Sequence, residues 1–322
     1  MSGQSPAQGA AQLPATVRIR EVGPRDGFQN EPEIISTDDK VELIDALART
    51  GLERIELTSF VRADVIPQLA DAAEVLRRVS IPEQVSASVL IPNERGLQAA
   101  LQVLGERPGE RAAFDEVNVF LSASETHNRK NVNRSVEQSL AAVQAVLRRA
   151  REAGLRCEGV ISTSFGCPYE GRVPVERVLS IAARLIEAGA QEVGFGDTTG
   201  MANPLQVRRF FAAAFAELGD HVELTAHFHN TRGQGLANVL AALEAGVESF
   251  ESSFGELGGC PVPAGATGNI ASEDLISMLH EMGIDTGVDL DALLRCSRRA
   301  QQILGRPLGS HTLVAGPVVW DI

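Results

Sequence analysis

From residue 17 onward, eight short apolar runs alternate with longer segments of helical periodicity, and no glycine-rich phosphate turn follows the first run. These two observations predict a closed parallel (β/α)8 barrel, a TIM barrel, over an open doubly wound sheet, whose first strand would normally lead into GxGxxG. The turn at that place is Gly23-Pro24-Arg25-Asp26-Gly27. The expected strands are 17–22, 53–58, 84–90, 115–121, 156–163, 191–196, 222–228 and 247–252, separated by amphipathic segments such as 38–50, 135–153 and 174–188. Helix starts are marked by Ser36-Thr37 before Asp38-Asp39, by the capping box from Ser135 to Gln138, and by Pro204 in a first turn. Gly51, Gly154 and Gly246 stop helices just ahead of strands. Residues 1–16 carry neither a basic nor a hydrophobic segment and read as a flexible tail. Residues 17–322 read as one catalytic barrel domain with a short helical C-terminal extension, including a last helical stretch at 289–303.

The chain has 322 residues, 44% of them hydrophobic, enough for one large folded domain. A formal net charge of -13 argues against nucleic acid or an anionic membrane as a partner, since both require a basic footprint. An anionic small substrate remains compatible if arginines cluster locally. Cys157, Cys167, Cys260 and Cys296 are scattered without a CxxC, which fits reduced thiols and a cytoplasmic location. No apolar run approaches membrane-spanning length. A homo-oligomer, most simply a dimer, is the expected assembly. Lys40, at a helix start, and Lys130, in an expected loop, are the only lysines, and neither sits at a strand end where a Schiff base would be made.

The active site of such a barrel lies at the C-terminal ends of its strands. His227 and His229 stand two residues apart on the seventh run, so an extended backbone points both imidazoles to one side. Asp26 follows the first strand and Asn269 the eighth, and barrel closure makes those strands neighbours. One carboxylate, two imidazoles and an amide oxygen suit an octahedral Mg²⁺ or Mn²⁺ better than a closed zinc site. Glu56, if inward-facing, needs a cation, and Arg25 is one loop away. Plain structural readings stand beside these: Asp26-Gly27 as a turn, Asp197-Thr198 as a helix cap, a histidine pair as a polar patch. The stretch 255–269 has five glycines and two prolines, reads as neither helix nor strand, and would serve as a lid. It carries Cys260, placed to act as general acid or base. The basic piece 127–134 could hold the phosphates of a large anionic cofactor or be a solvated helix entry.

With these residues in view, the chain resembles the hydroxymethylglutaryl-CoA lyases, divalent-metal-dependent lyases on TIM barrels, from about residue 17 to 305. The motifs are EVGPRDGFQNE at 21–31, IELTSF at 55–60, GCPYEG at 166–171, GDTTG at 196–200, HFHNTRGQGLAN at 227–238, ELGGCP at 256–261, GATGN at 265–269 and EDL at 273–275. The resemblance implies retro-Claisen cleavage of a 3-hydroxyacyl-CoA thioester to acetyl-CoA and a keto acid. It implies Asp26, His227, His229 and Asn269 as metal ligands, with His227 counted also among the catalytic residues. Arg25 would stabilise the enolate, Cys260 would transfer a proton, and Glu56 and Asp197 would orient the site. Where the family usually has Asp and Tyr, this chain has Asn230 and Arg232, and His127 stands where an apolar residue is common. The shift towards positive charge leads to an expected preference for an acyl group with a distal carboxylate, either hydroxymethylglutaryl-CoA or a relative such as citramalyl-CoA. Two rivals are a Claisen-type synthase of the isopropylmalate or citramalate kind and a silent acyl-CoA sensor. The short extent beyond the barrel and the RDGFQN and Cys260 motifs favour the lyase over the first. Retention of Arg25 and Cys260 favours it over the second.

Overall fold

The computed structural model describes residues 13–106, 112–259 and 267–320. Eight parallel strands close into one barrel in sequence order: β1 (Arg18–Glu21), β2 (Arg54–Ser59), β3 (Ser86–Leu90), β4 (Glu116–Ser122), β5 (Arg156–Ser162), β6 (Glu192–Asp197), β7 (Glu223–Phe228) and β8 (Ser249–Ser252). The (β/α)8 barrel expected from the pattern is therefore the fold, and each strand end falls within two residues of its expected position. Ser36 caps the helix Thr37–Leu47 by accepting from the Asp39 amide. The Ser135–Gln138 capping box forms, and Pro204 opens the helix Pro204–Leu218. One expectation is corrected: Lys130 is not in a loop, because Ser124 accepts from the His127 amide and starts a helix over Glu125–Val132, so the basic piece 127–134 does enter a helix. In the described part of the glycine-rich stretch, Gly255 and Glu256 turn with φ of +64° and +62° and Asn269 makes a single bridge to His229, in keeping with a segment that is neither helix nor strand.

Outside the strands, apolar helix faces bury leucines, valines and a phenylalanine group made of Phe165, Phe195, Phe210, Phe211 and Phe228. The helices Leu290–Leu304 and His311–Ala315 form the C-terminal extension. It is tied back through Asp289, whose amide donates to the Thr50 carbonyl at 2.7 Å. Gly51 turns there with a φ of +92°, and a Cβ on it would lie 2.1 Å from the Gly287 carbonyl oxygen. Only glycine fits that approach. Asp285 holds the chain entry: its carbonyl accepts from Val17 and its amide donates to Ala15.

The barrel interior departs from the usual layers of branched aliphatic residues. Arg20 lies on its axis with a fully covered side chain and meets four carboxylates: Glu116 at 2.6 Å, Glu251 at 3.0 Å, Glu192 at 3.3 Å, and Glu158. Arg54 adds bonds to Glu116 and Glu192. A buried ion cluster need not be more stable than a hydrophobic replacement, but removing one partner strands the others without water. Arg20→Met should therefore cost about 3–5 kcal/mol, read as a lowered denaturation midpoint in urea at unchanged slope.

Candidate active site

The site begins where β1 ends. Residues Gly23–Gly27 make one wide turn of π type, its amides directed back to the Val22 carbonyl. Gly23 is required there, since a Cβ would lie 2.5 Å from the Phe254 ring. The turn lifts Arg25 and Asp26 to the barrel mouth. Arg25 Nε donates to Glu56 Oε2 at 2.5 Å and its Nη1 to Asp26 Oδ1 at 2.6 Å. Glu56 also accepts from Asn118 Nδ2 at 3.1 Å. Burial pushes the Glu56 proton affinity up and the guanidinium opposes it. Burial acts on Asp26 in the same sense, but Arg25, the two histidines and Asn269 outweigh it and hold Asp26 below the ordinary carboxylate value.

Asp26, His227 and His229 converge, with one ligand atom of each within 4.8 Å of the others. The two ring Nε2 atoms lie 3.1 Å apart. Asn269 donates to Asp26 Oδ2 at 2.8 Å, while its own Oδ1 is buried without a hydrogen-bond partner, as is His229 Nδ1. Burial and the neighbouring His227 push the His229 pKa down to about 3, so this ring is neutral and free to coordinate. A hard cation fits this set: one carboxylate, ring nitrogens facing one another, and a bare amide oxygen. The group thus has the make-up of a divalent metal centre.

Asp197 is near this group but occupied elsewhere. It accepts from the amides of Met201 at 2.7 Å and Ala202 at 3.2 Å and so shapes the loop after β6. Cys260 lies outside the described residues. The departures noted in the sequence bond to neighbouring loops. Asn230 donates to Glu256 at 2.8 Å, and Arg232 donates to the carbonyls of Thr199 and Gly200 at 2.9 and 2.8 Å. Both side chains tether loops, and the Arg232 charge acts on Asp197. His127 lies half-buried beside Tyr169, whose ring also carries Lys130 at 5.0 Å, and Arg129 pairs with Glu125. Glu251 is the residue that sequence reasoning passed over. It contacts His227 Nδ1 at 2.8 Å and is held at a pKa of about 2, since His227 and the arginines outweigh the effect of burial. The available signal was the alternation of Ser249 and Glu251 along a short buried strand.

A closed parallel barrel with a carboxylate, two histidines and an amide at the C-terminal strand ends defines a barrel enzyme with a place for a divalent metal. The comparisons with known proteins narrow this. The HMGL-like family model matches residues 16–299, and the chain belongs to that family. The hydroxymethylglutaryl-CoA lyase YngG of Bacillus subtilis is 44% identical over 300 residues, covering 93% of this chain and 97% of that protein. A crystal structure of the B. subtilis HMG-CoA lyase superposes with a TM-score of 0.88 at 44% identity, over 94% of this chain and 98% of the other. An HMG-CoA lyase from Acinetobacter baumannii in complex with coenzyme A and 3-methylmalate also gives 0.88, at 38% identity, over 96% and 97%. These relatives are carbon–carbon lyases.

The position of Asp197 generates a prediction. Burial raises its pKa to about 6, only partly opposed by the Met201 and Ala202 amides, His227 and Arg232. A raised carboxylate supports the fold below its unfolded pKa and loses that contribution as pH rises through the folded value. Asp197→Asn should thus gain stability relative to the parent protein between pH 4 and 7, by up to about 3 kcal/mol, measured as the difference in unfolding free energy.

Proposed function

We propose that the protein cleaves hydroxymethylglutaryl-CoA to acetyl-CoA and acetoacetate, using a Mg²⁺ or Mn²⁺ ion held by Asp26, His227, His229 and Asn269. The observation that carries the reading is the Arg25–Asp26 turn set directly against the histidine pair. A divalent cation there supplies Lewis acidity towards the substrate hydroxyl. The residues of the chain do the rest. The hydroxyl proton passes to Cys260, acting as the thiolate base, the oxygen closes to the ketone C=O as the C2–C3 bond breaks, and that bond's electron pair passes to C2 and the thioester oxygen as an enolate. Arg25, fixed by Glu56 and Asp26, presents a guanidinium edge to that oxygen, where charge develops. Proton return to C2 completes acetyl-CoA, and Cys260 is assigned this step. Glu56 and Asp197 orient the site, the latter through its loop.

The acyl-CoA class of substrate is supported by the relatives' names and by the coenzyme A complex at 38% identity. The 3-methylmalate in that complex keeps a smaller dicarboxylyl thioester such as citramalyl-CoA as the second reading. The described thiols Cys157, Cys167 and Cys296 are unpaired and buried, which supports a cytoplasmic location, and no described helix is long and apolar enough to cross a membrane.

Both thioesters, incubated with metal-loaded and with EDTA-treated enzyme and resolved by mass spectrometry, test the reading. Acetyl-CoA with acetoacetate should dominate over acetyl-CoA with pyruvate. EDTA should abolish turnover, and Mg²⁺ or Mn²⁺ should restore it. Full activity after exhaustive chelation would remove the metal from the reaction. Arg25→Gln should lower kcat by an amount worth about 3–5 kcal/mol with little change in KM, because its interaction strengthens only in the transition state. A raised KM with intact kcat would make it a substrate clamp instead.

A further inference from the structure

The ion cluster on the barrel axis and the candidate metal centre are joined through a single residue, Glu251. Strand β8 lies between β1 and β7, and the register makes Glu251 the direct cross-strand partner of Arg20 on one side and of His227 on the other. Directly paired residues in neighbouring strands project to the same face, so the three side chains form one inward row. Glu251 divides its oxygens between its neighbours. Oε1 accepts from Arg20 Nη1 at 3.0 Å, and Oε2 meets His227 Nδ1 at 2.8 Å. It is 3% exposed, so water does not compete for either oxygen.

A carboxylate can only accept, so the hydrogen in the second contact belongs to His227 Nδ1. In the neutral ring that leaves Nε2 with its lone pair, and Nε2 is the atom that faces His229 across 3.1 Å. His229 has no comparable support, since its Nδ1 is buried and unpartnered. The two imidazoles are therefore not equivalent: one is braced from the barrel axis and the other is not. Arg20 cannot swing away from Glu251, because Glu116, Glu158 and Glu192 hold it from the remaining sides.

We propose that Glu251, clamped by Arg20, is the positioning residue of the metal centre, fixing the tautomer and angle at which His227 offers Nε2 to the cation. This rests on the reading of Asp26, His227, His229 and Asn269 as cation ligands. The alternative is that Glu251 only balances the charge of Arg20. The two differ in what Glu251→Gln does. An amide has one accepting atom where the carboxylate has two. If its oxygen stays on Arg20, its NH2 faces His227 Nδ1 and drives the ring proton to Nε2, the atom the metal needs. If its oxygen stays on His227, its NH2 confronts the guanidinium. Arg20 keeps three other carboxylates in either case.

The experiment titrates full-length protein with Mn²⁺, reading free ion by electron paramagnetic resonance, and follows the fold by circular dichroism. Glu251→Gln should raise the Mn²⁺ dissociation constant about 10–100-fold with an unchanged metal-free spectrum. Long-range ¹H–¹⁵N spectra of histidine-labelled, metal-free protein should show the neutral His227 ring protonated at Nδ1 in the parent, and shifted towards Nε2 in the variant. An unchanged dissociation constant, or a parent ring protonated at Nε2, overturns the proposal. Should the variant not fold, the parent tautomer decides alone. A parent protein that binds no Mn²⁺ overturns the metal reading itself, and is told apart from the first failure by the parent's own titration.

Discussion

Arg20 is a charge with nowhere to go. Its guanidinium sits on the axis of a closed barrel, out of reach of water, and is acceptable there only because carboxylates from β4, β5, β6 and β8 are aimed at it. That requirement links strands far apart in the ring, and a slip of one residue in any of them would turn its carboxylate to the outer face. The register that satisfies Arg20 also sets the height of everything above it: Glu56 and Asn118 on the next inward positions, then the histidines and Asp26 at the mouth. The polar interior is thus part of the site's foundation.

The candidate centre is assembled from both ends of the chain. Asn269 reaches Asp26 across 243 residues of sequence, and Phe254 and Ser272 both donate to Glu21 just before the Arg25 turn. Such convergence needs little from the loops themselves once β8 lies beside β1. Loops contribute by being fastened: Arg232 holds the segment after β6 from the segment after β7, and Asn230 holds Glu256 beyond β8. Three neighbouring loops at the mouth are cross-linked by side chains to backbone or to carboxylate, so the lip on that side is shaped as one unit.

The strands and the metal-type donor set were legible in the sequence because each follows from local patterns together with the closure that the barrel class imposes. Period-2 alternation and glycine stops locate strands, two histidines at i and i+2 must share a face, and ring closure brings first and last strands together. What was not legible depends on register or on loop path. Glu251 could be seen as inward-facing, but its pairing with both His227 and Arg20 is a property of how three strands align. Asn230 and Arg232 follow a ligand directly, but which loops they fasten, through Glu256 and through the Thr199 and Gly200 carbonyls, depends on chain paths that spacing does not give. The helix Glu125–Val132 was legible only as one alternative for the basic piece, because it is polar up to Val132 and has no apolar stripe to read, only the Ser124 cap.

Ring closure also bears on the order in which the chain is made. β1 leaves the ribosome first, pairs with β2 soon after, and then waits: its second partner holds Glu251, 231 residues downstream of Arg20. Until then Arg20 lacks Glu251, the last of its four carboxylates, and both edges of a growing seven-stranded sheet stay open. Asp285, which secures Ala15 and Val17, comes later still, and the Gly51–Gly287 approach locks only when the extension arrives. Open parallel edges and long-range closure are the slow, association-prone part of folding. For this chain, they last from the synthesis of β1 to that of β8, and the burial of one guanidinium marks their end.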